Sequence, residues 1–378
     1  MKVKLSPRDS FFLRLIFASC LLPSALGVFA QDLQPVSRSE SGEIVWFDAL
    51  DLGLTGQAWD ALAHPYDRLP AKAKGIVREP VWRLGTNTAG LSVHFQTDSK
   101  AIHARWTVRY NNSMWHMTDC GIRGLDLYMD DDGTWRYAGS GSPGPEKLSE
   151  REILDGMDGQ MHDYHLNLSL YDGIDTLWIG VEKGSIIKGN SLLKGNPIVI
   201  YGTSIQQGGC ATRPGMAASN ILSRRLDREV INLGFSGNGR MEMELAGLIS
   251  EIDASAFIFD CLPNIHDLDV ISPRYIEFVV FIREKHPETP IYLVETATTV
   301  KSALVSEDLE QLNRQNEELI KAYKALKTAG IRKLFIIPGR DLIGTDQEGT
   351  VDGVHYTDLG FLRYADKVLS IVGKRLGR

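Results

Sequence analysis

From Pro197 onward, short unbroken apolar runs alternate with longer stretches in which apolar residues recur every three or four positions. The runs are Pro197–Tyr201, Glu229–Leu233, Ala256–Asp260, Pro290–Val294 and Lys333–Ile337. The periodic stretches lie around Met216–Leu226, Met241–Ile252, Pro273–Lys285, Glu307–Thr328 and Leu359–Leu376. A strand without polar alternation is buried on both faces, and a parallel sheet covered on each side by its crossover helices meets that need. In such sheets ligands bind beyond the carboxyl ends of the strands. The polar residues that follow each run are therefore the candidates for chemistry.

Ahead of this pattern the text reads differently. Between about residues 42 and 195, short alternating or aromatic-rich runs recur at Glu43–Phe47, Leu91–Phe95, Ile102–Tyr110, Gly124–Met129, Thr134–Gly139, His162–Leu170 and Thr176–Val181. Turn clusters such as Asp130-Asp131-Asp132-Gly133 separate them, which predicts an antiparallel β-sandwich. Only Ser149–Leu154 suggests a helical turn. At 378 residues the chain exceeds what a single core usually organises. The expected parse is a leader over 1–30, a sandwich over 31–195 and an α/β domain over 196–378.

The leader joins Lys2, Lys4, Arg8 and Arg14 to the apolar run Leu15–Ala30, ending in Val28-Phe29-Ala30. That is the form of a secretory signal peptide, too short for a membrane span. The expectation is a periplasmic or secreted protein with no integral span in its mature chain. The net charge of −7 becomes more negative once the leader is removed. This argues against nucleic acid as a partner, because clustered Lys and Arg would be needed. Removal of the leader leaves Cys120, Cys210 and Cys261, enough for one disulfide and an odd thiol. No CxxC spacing or His cluster points to a metal, and none is expected.

Four elements carry possible chemistry. Ser204 directly follows an apolar strand in Ile200-Tyr201-Gly202-Thr203-Ser204. In Asp352-Gly353-Val354-His355 a carboxylate three residues before a histidine can accept its Nδ1 proton and leave Nε2 free to act as a base. The glycine-rich loop Asn232–Gly239 can aim a backbone N–H at a developing oxyanion, and Asn264, stiffened by Pro263, can add a side-chain amide. Each element alone also has a plain structural reading: a helix cap, a solvated loop or a turn. Together they follow successive strands of one sheet.

The set resembles the SGNH (GDSL-like) hydrolases across roughly residues 196–376. The resemblance implies a flavodoxin-like parallel sheet and a triad of Ser204, Asp352 and His355. It also implies an oxyanion hole formed by Ser204, Gly237 and Asn264. The family's G-D-S reads Gly202-Thr203-Ser204 here, and its G-x-N-D reads Leu262-Pro263-Asn264-Ile265. Gly124-Leu125-Asp126-Leu127-Tyr128, Gln207 and Arg213-Pro214-Gly215-Met216 resemble a bacterial subgroup with a G-x-D-L-Y sandwich ahead of the hydrolase. That subgroup implies an esterase without cofactors, acting on acetyl or methyl esters of small molecules or polysaccharides. Trp115, His116 and Arg213 are candidate substrate contacts. The alternatives are a lipase or thioesterase of the same type, or a carbohydrate-binding protein without catalysis.

Overall fold

The structure, a computed structural model, describes residues 33–190 and 195–376; the leader lies outside the described residues. The N-terminal part is built from β1 (Ser37–Arg38), β2 (Ile44–Asp48), β3 (Leu54–Thr55), β4 (Ser92–Thr97), β5 (Ile102–Val108), β6 (Leu125–Asp131), β7 (Thr134–Gly141), β8 (Leu148–Leu154), β9 (His162–Asn167), β10 (Ile174–Glu182) and β11 (Ile187–Gly189). They form two antiparallel sheets, ordered β1-β2-β10-β5-β8 and β11-β4-β9-β6-β7, with β3 paired to β4. Inward residues such as Phe47, Val93, Phe95, Trp106, Leu127 and Ile179 share one core. Each such side chain, fully buried, contributes about 1.5–3 kcal/mol.

Residues Ser149–Leu154, expected to be a helical turn, belong to strand β8. Their charged residues fit an exposed edge: Ser149 and Ile153 are buried while Glu150, Arg151 and Glu152 are exposed. Glu150 pairs in register with Arg105 on β5 and accepts its Nε at 2.6 Å. Cross-strand pairing outweighs the local helical preference.

The segment between β3 and β4 joins a different core. It carries the short helix α1 (Glu79–Gly85), and Leu69, Ala73, Val77 and Val81 pack with Val199, Tyr201 and Ile231 of the C-terminal sheet. Arg68, fully buried, donates to the carbonyls of Leu84, Asn87, Asn232 and Gly234 and stitches this segment to the strand ends. A second short helix, α2 (Asp119–Arg123), precedes β6.

The C-terminal sheet contains β12 (Ile198–Gly202), β13 (Val230–Gly234), β14 (Ala256–Asp260), β15 (Ile291–Val294) and β16 (Leu334–Ile337), all parallel. Their order, β13-β12-β14-β15-β16, is the 2-1-3-4-5 arrangement of flavodoxin-like folds. The helices are α3 (Ser204–Gln207), α4 (Ala218–Leu226), α5 (Met243–Ile249), α6 (Leu268–Lys285), α7 (Val300–Leu304), α8 (Ser306–Thr328) and α9 (Asp358–Val372). Strand periodicity divides them between two faces. Val199 and Tyr201 share a core with α5, α6 and α8, whereas Ile198 and Ile200 share one with α4 and α9.

Helix α6 begins five residues before Pro273, the expected start. Asp267 caps it, accepting from the Asp269 N–H at 3.1 Å. Pro273 sits in the second turn, and the buried face Ile271, Tyr275, Phe278, Val279 and Ile282 runs on past it. Packing of that face offsets the one backbone hydrogen bond the proline removes.

Candidate active site

The nucleophile position is set by crowding at the end of β12. A Cβ on Gly202 would lie 2.3 Å from the Gln206 side chain and 2.9 Å from the Asp260 carbonyl, so the turn requires glycine. Thr203 then caps α3, its hydroxyl accepting from the Ile205 N–H at 3.3 Å. Asp, the family residue here, is also a favoured cap, so Thr203 preserves the turn. Ser204 is the first residue of α3, 7% exposed, and its carbonyl accepts from the Tyr171 hydroxyl at 3.1 Å.

Ser204 Oγ lies 2.9 Å from His355 Nε2, and His355 Nδ1 lies 2.7 Å from Asp352 Oδ2. Gly353, at φ +86°, reverses the chain so that Asp352 Oδ1 also accepts the N–H groups of Val354 and His355 at 3.0 and 2.8 Å. Burial pushes the Asp352 carboxyl up. The His355 ring and those two N–H groups outweigh it and hold the group below the usual carboxylate range. With Nδ1 donating to a carboxylate, His355 presents Nε2 as an acceptor toward the serine.

The oxyanion candidates follow β13 and β14, the two strands that flank β12 in the sheet. Gly237 has φ +66°, a conformation that favours glycine, and its N–H has no hydrogen-bond partner among the described residues. Its loop is held by Gln207, whose Oε1 accepts the Ser236 N–H at 2.9 Å while Nε2 donates to Asn87 and Leu170. Asn264 follows β14 in a 3₁₀ turn, and its Nδ2 is buried without a partner. Ile265, where the family has aspartate, packs into the core instead.

The candidate substrate contacts divide. Trp115 is 86% exposed and stacks on His116 with ring centroids 4.8 Å apart. The His116 ring is 5.3 Å from the His355 ring, and its Nδ1 is buried without a partner. Arg213 is engaged elsewhere: its Nη1 donates to Asp126 and to the Tyr128 hydroxyl, each at 2.6 Å. Asp126 also accepts the Gly215 N–H, and a Cβ at Gly215 would lie 2.5 Å from Tyr128. The G-x-D-L-Y element thus grips the Arg213–Gly215 loop of the α/β part.

Sequence reasoning missed Cys210, which the fold brings to the histidines. Among the described residues Cys120, Cys210 and Cys261 are all free. The Cys210 N–H donates to the Tyr356 carbonyl at 3.1 Å, and the His116 loop is tied to Cys210's neighbours by Thr118 Oγ1 donating to the Thr212 carbonyl. Burial, and then the Asp352 charge, push the thiol up to about 12, so it is protonated at neutral pH. His116, Cys210 and His355 offer ligand atoms within 4.8 Å of one another. They lie 94 and 145 positions apart in the chain, so no spacing motif marks them. A pocket of about 440 Å³, lined in part by Arg83, Tyr110, Met114, Tyr171, Ser236 and Asn238, adjoins the same loops.

Residues 195–373 match the model of the GDSL-like lipase/acylhydrolase family, and residues 44–187 match that of the N-terminus of SGNH-hydrolase-type esterases. A crystal structure from Bacteroides ovatus, assigned as a GDSL-like lipase, is 39% identical. The alignment covers 88% of this chain and 98% of that one, with a TM-score of 0.84. This chain belongs to the GDSL-like (SGNH) hydrolase family. It is a carboxylic ester hydrolase. The SGNH hydrolase also shares its fold with a salicylyl-acyltransferase from a tetracycline biosynthetic pathway, at 17% identity and TM-score 0.72, covering 90% of this chain and 99% of that one. A family two carbohydrate esterase from Clostridium thermocellum, solved with cellohexaose, has 10% identity and TM-score 0.55, covering 77% and 96%. No curated protein matches the sequence.

Proposed function

We propose that this hydrolase cleaves acetyl or methyl esters of carbohydrates through an acyl-enzyme on Ser204. The observation that carries the reading is the continuous line Asp352–His355–Ser204, at 2.7 and 2.9 Å. His355 Nε2 takes the hydroxyl proton as Ser204 Oγ attacks the ester carbonyl. The carbonyl π electrons move to oxygen, where the N–H groups of Ser204 and Gly237 and the Asn264 amide receive the charge. The tetrahedral adduct collapses, His355 gives its proton to the departing alkoxide, and the alcohol leaves. Water then repeats the sequence on the acyl-enzyme and frees the acid. For a sugar acetate the alcohol is the saccharide; for a uronate methyl ester it is methanol.

Carbohydrate as the substrate class rests on Trp115. An indole left 86% exposed and stacked on His116, whose ring is 5.3 Å from the His355 ring, offers an apolar face to a sugar ring. His116 beneath it, with a free buried nitrogen, can bind a hydroxyl. The test is release of acetate and methanol from a panel of plant and algal polysaccharides. Wild type should release one of them and His355→Ala neither. Cleavage confined to long-chain acyl esters would overturn the carbohydrate reading and favour a lipase.

We propose further that the chain is exported to the periplasm or the medium after cleavage near Gln31, on the strength of the basic, apolar and small-residue order in 1–30. N-terminal sequencing of the native protein should begin at or near Gln31; an intact Met1 would contradict it.

A further inference from the structure

We propose that His116, Cys210 and His355 form an inhibitory site for a borderline-soft divalent cation, zinc above all. The inference rests on the triad reading, since it assigns His355 two competing uses. Three observations converge. The ligand atoms of the three residues lie within 4.8 Å of one another, and among the described residues no other cluster of three or more such groups meets this standard. His116 Nδ1 is buried and has nothing to bond. Cys210 is a free, buried thiol beside them.

Metal-bound histidines commonly donate their other ring N–H to a carboxylate, which fixes the tautomer and the ring orientation. Asp352 already does this for His355 at 2.7 Å. The arrangement that makes Nε2 a base for Ser204 also makes it a metal ligand. Two imidazoles and a thiolate are a ligand set that zinc takes in tetrahedral geometry, with a fourth position left for water or the Ser204 hydroxyl. Bond lengths of about 2.0–2.1 Å to nitrogen and 2.3 Å to sulfur put the ligand atoms about 3.3–3.6 Å apart. Side-chain rotations of about 1 Å therefore close the site. The new bonds are two Zn–N and one Zn–S, and the Cys210 thiol proton leaves to solvent as the Zn–S bond forms.

Bound zinc occupies the lone pair that would accept the serine proton, so hydrolysis stops until the metal is removed. Magnesium, which prefers oxygen ligands and keeps its water, should have no effect.

The experiment uses the full chain in a non-chelating buffer with two readouts, zinc binding by competition with a chromophoric chelator and hydrolysis of a small chromogenic acetate. Wild type should bind a single zinc equivalent, lose activity as it does so, and recover it with EDTA. Cys210→Ala should keep its basal activity but need roughly 100-fold more zinc for half-inhibition, since loss of even a supporting residue around a metal costs about 10–100-fold in affinity. His116→Gln should lose binding in the chelator assay, which guards against a folding defect in the cysteine variant. Equal zinc sensitivity of Cys210→Ala and wild type would overturn the site. So would stoichiometric zinc on wild type with hydrolysis unimpaired. Should Ser204→Ala prove fully active, the triad reading fails on its own, and the chelator assay still decides whether the three ligands hold zinc.

Discussion

The Asn264 amide nitrogen is a donor shielded from water with no acceptor in reach. Leaving such a group unpaired costs on the order of 1–3 kcal/mol, which an oxyanion would recover only as charge develops. Asn264→Ala should therefore lower kcat by about 10²–10³ with KM little changed. A thermal melt on the same sample separates this from a turn residue, whose loss would lower Tm and spare kcat. Trp115→Ala should act the other way, raising KM several-fold on a polysaccharide ester while leaving turnover of a small acetate intact. Equal effects on both substrates would remove Trp115 from sugar binding. At this scale the sequence was informative where chemistry is local. Asp352 and His355 are three residues apart, and Gly353 lets the loop between them fold back. Cys210 was illegible, because its place beside His116 and His355 depends on two loops from different halves of the chain.

Strands and helices carry the second layer. The buried strands of the parallel sheet are legible because burial on both faces leaves them wholly apolar. Strand β8 was not, because an edge strand with one thin buried stripe carries charges that read as helix. The segment around α1 was not read: its four core residues recur at every fourth position, yet only Glu79–Gly85 forms α-helix, and the rest fit a surface made by other elements. Between elements, Asp260 at the end of β14 accepts from Gln206 on α3 at 2.6 Å and Tyr364 on α9 at 3.0 Å. Burial pushes its carboxyl up to about 6, more than those two hydrogen bonds pull it down. A raised carboxyl stabilises the fold fully below its unfolded value near 3.8 and loses that contribution as pH rises through about 6. Asp260→Asn, uncharged throughout, should gain on wild type in melting temperature between pH 4 and pH 7. A constant difference over that range would refute the assignment.

At the scale of the molecule, the sandwich is fastened to the hydrolase part by a buried ion pair. Asp126 is fully buried and holds Arg213, whose side chain is 21% exposed, at 2.6 Å. Removing one partner of a buried pair costs about 3–5 kcal/mol, and the partial exposure of Arg213 places Asp126→Ala at the lower end. Denaturant unfolding would show it, and Asp126→Asn, which keeps an acceptor for Arg213 and Gly215, should lose less. The same grip sets the loop that carries Cys210, so the two halves together shape the surroundings of Ser204. Whether that serine performs the chemistry is tested most directly by initial rates on a small chromogenic acetate, wild type against Ser204→Ala, with matched far-UV spectra to confirm folding. The variant should be slower by about 10⁴–10⁶, as losses of a triad nucleophile are. Near-wild-type turnover by folded Ser204→Ala would contradict the mechanism.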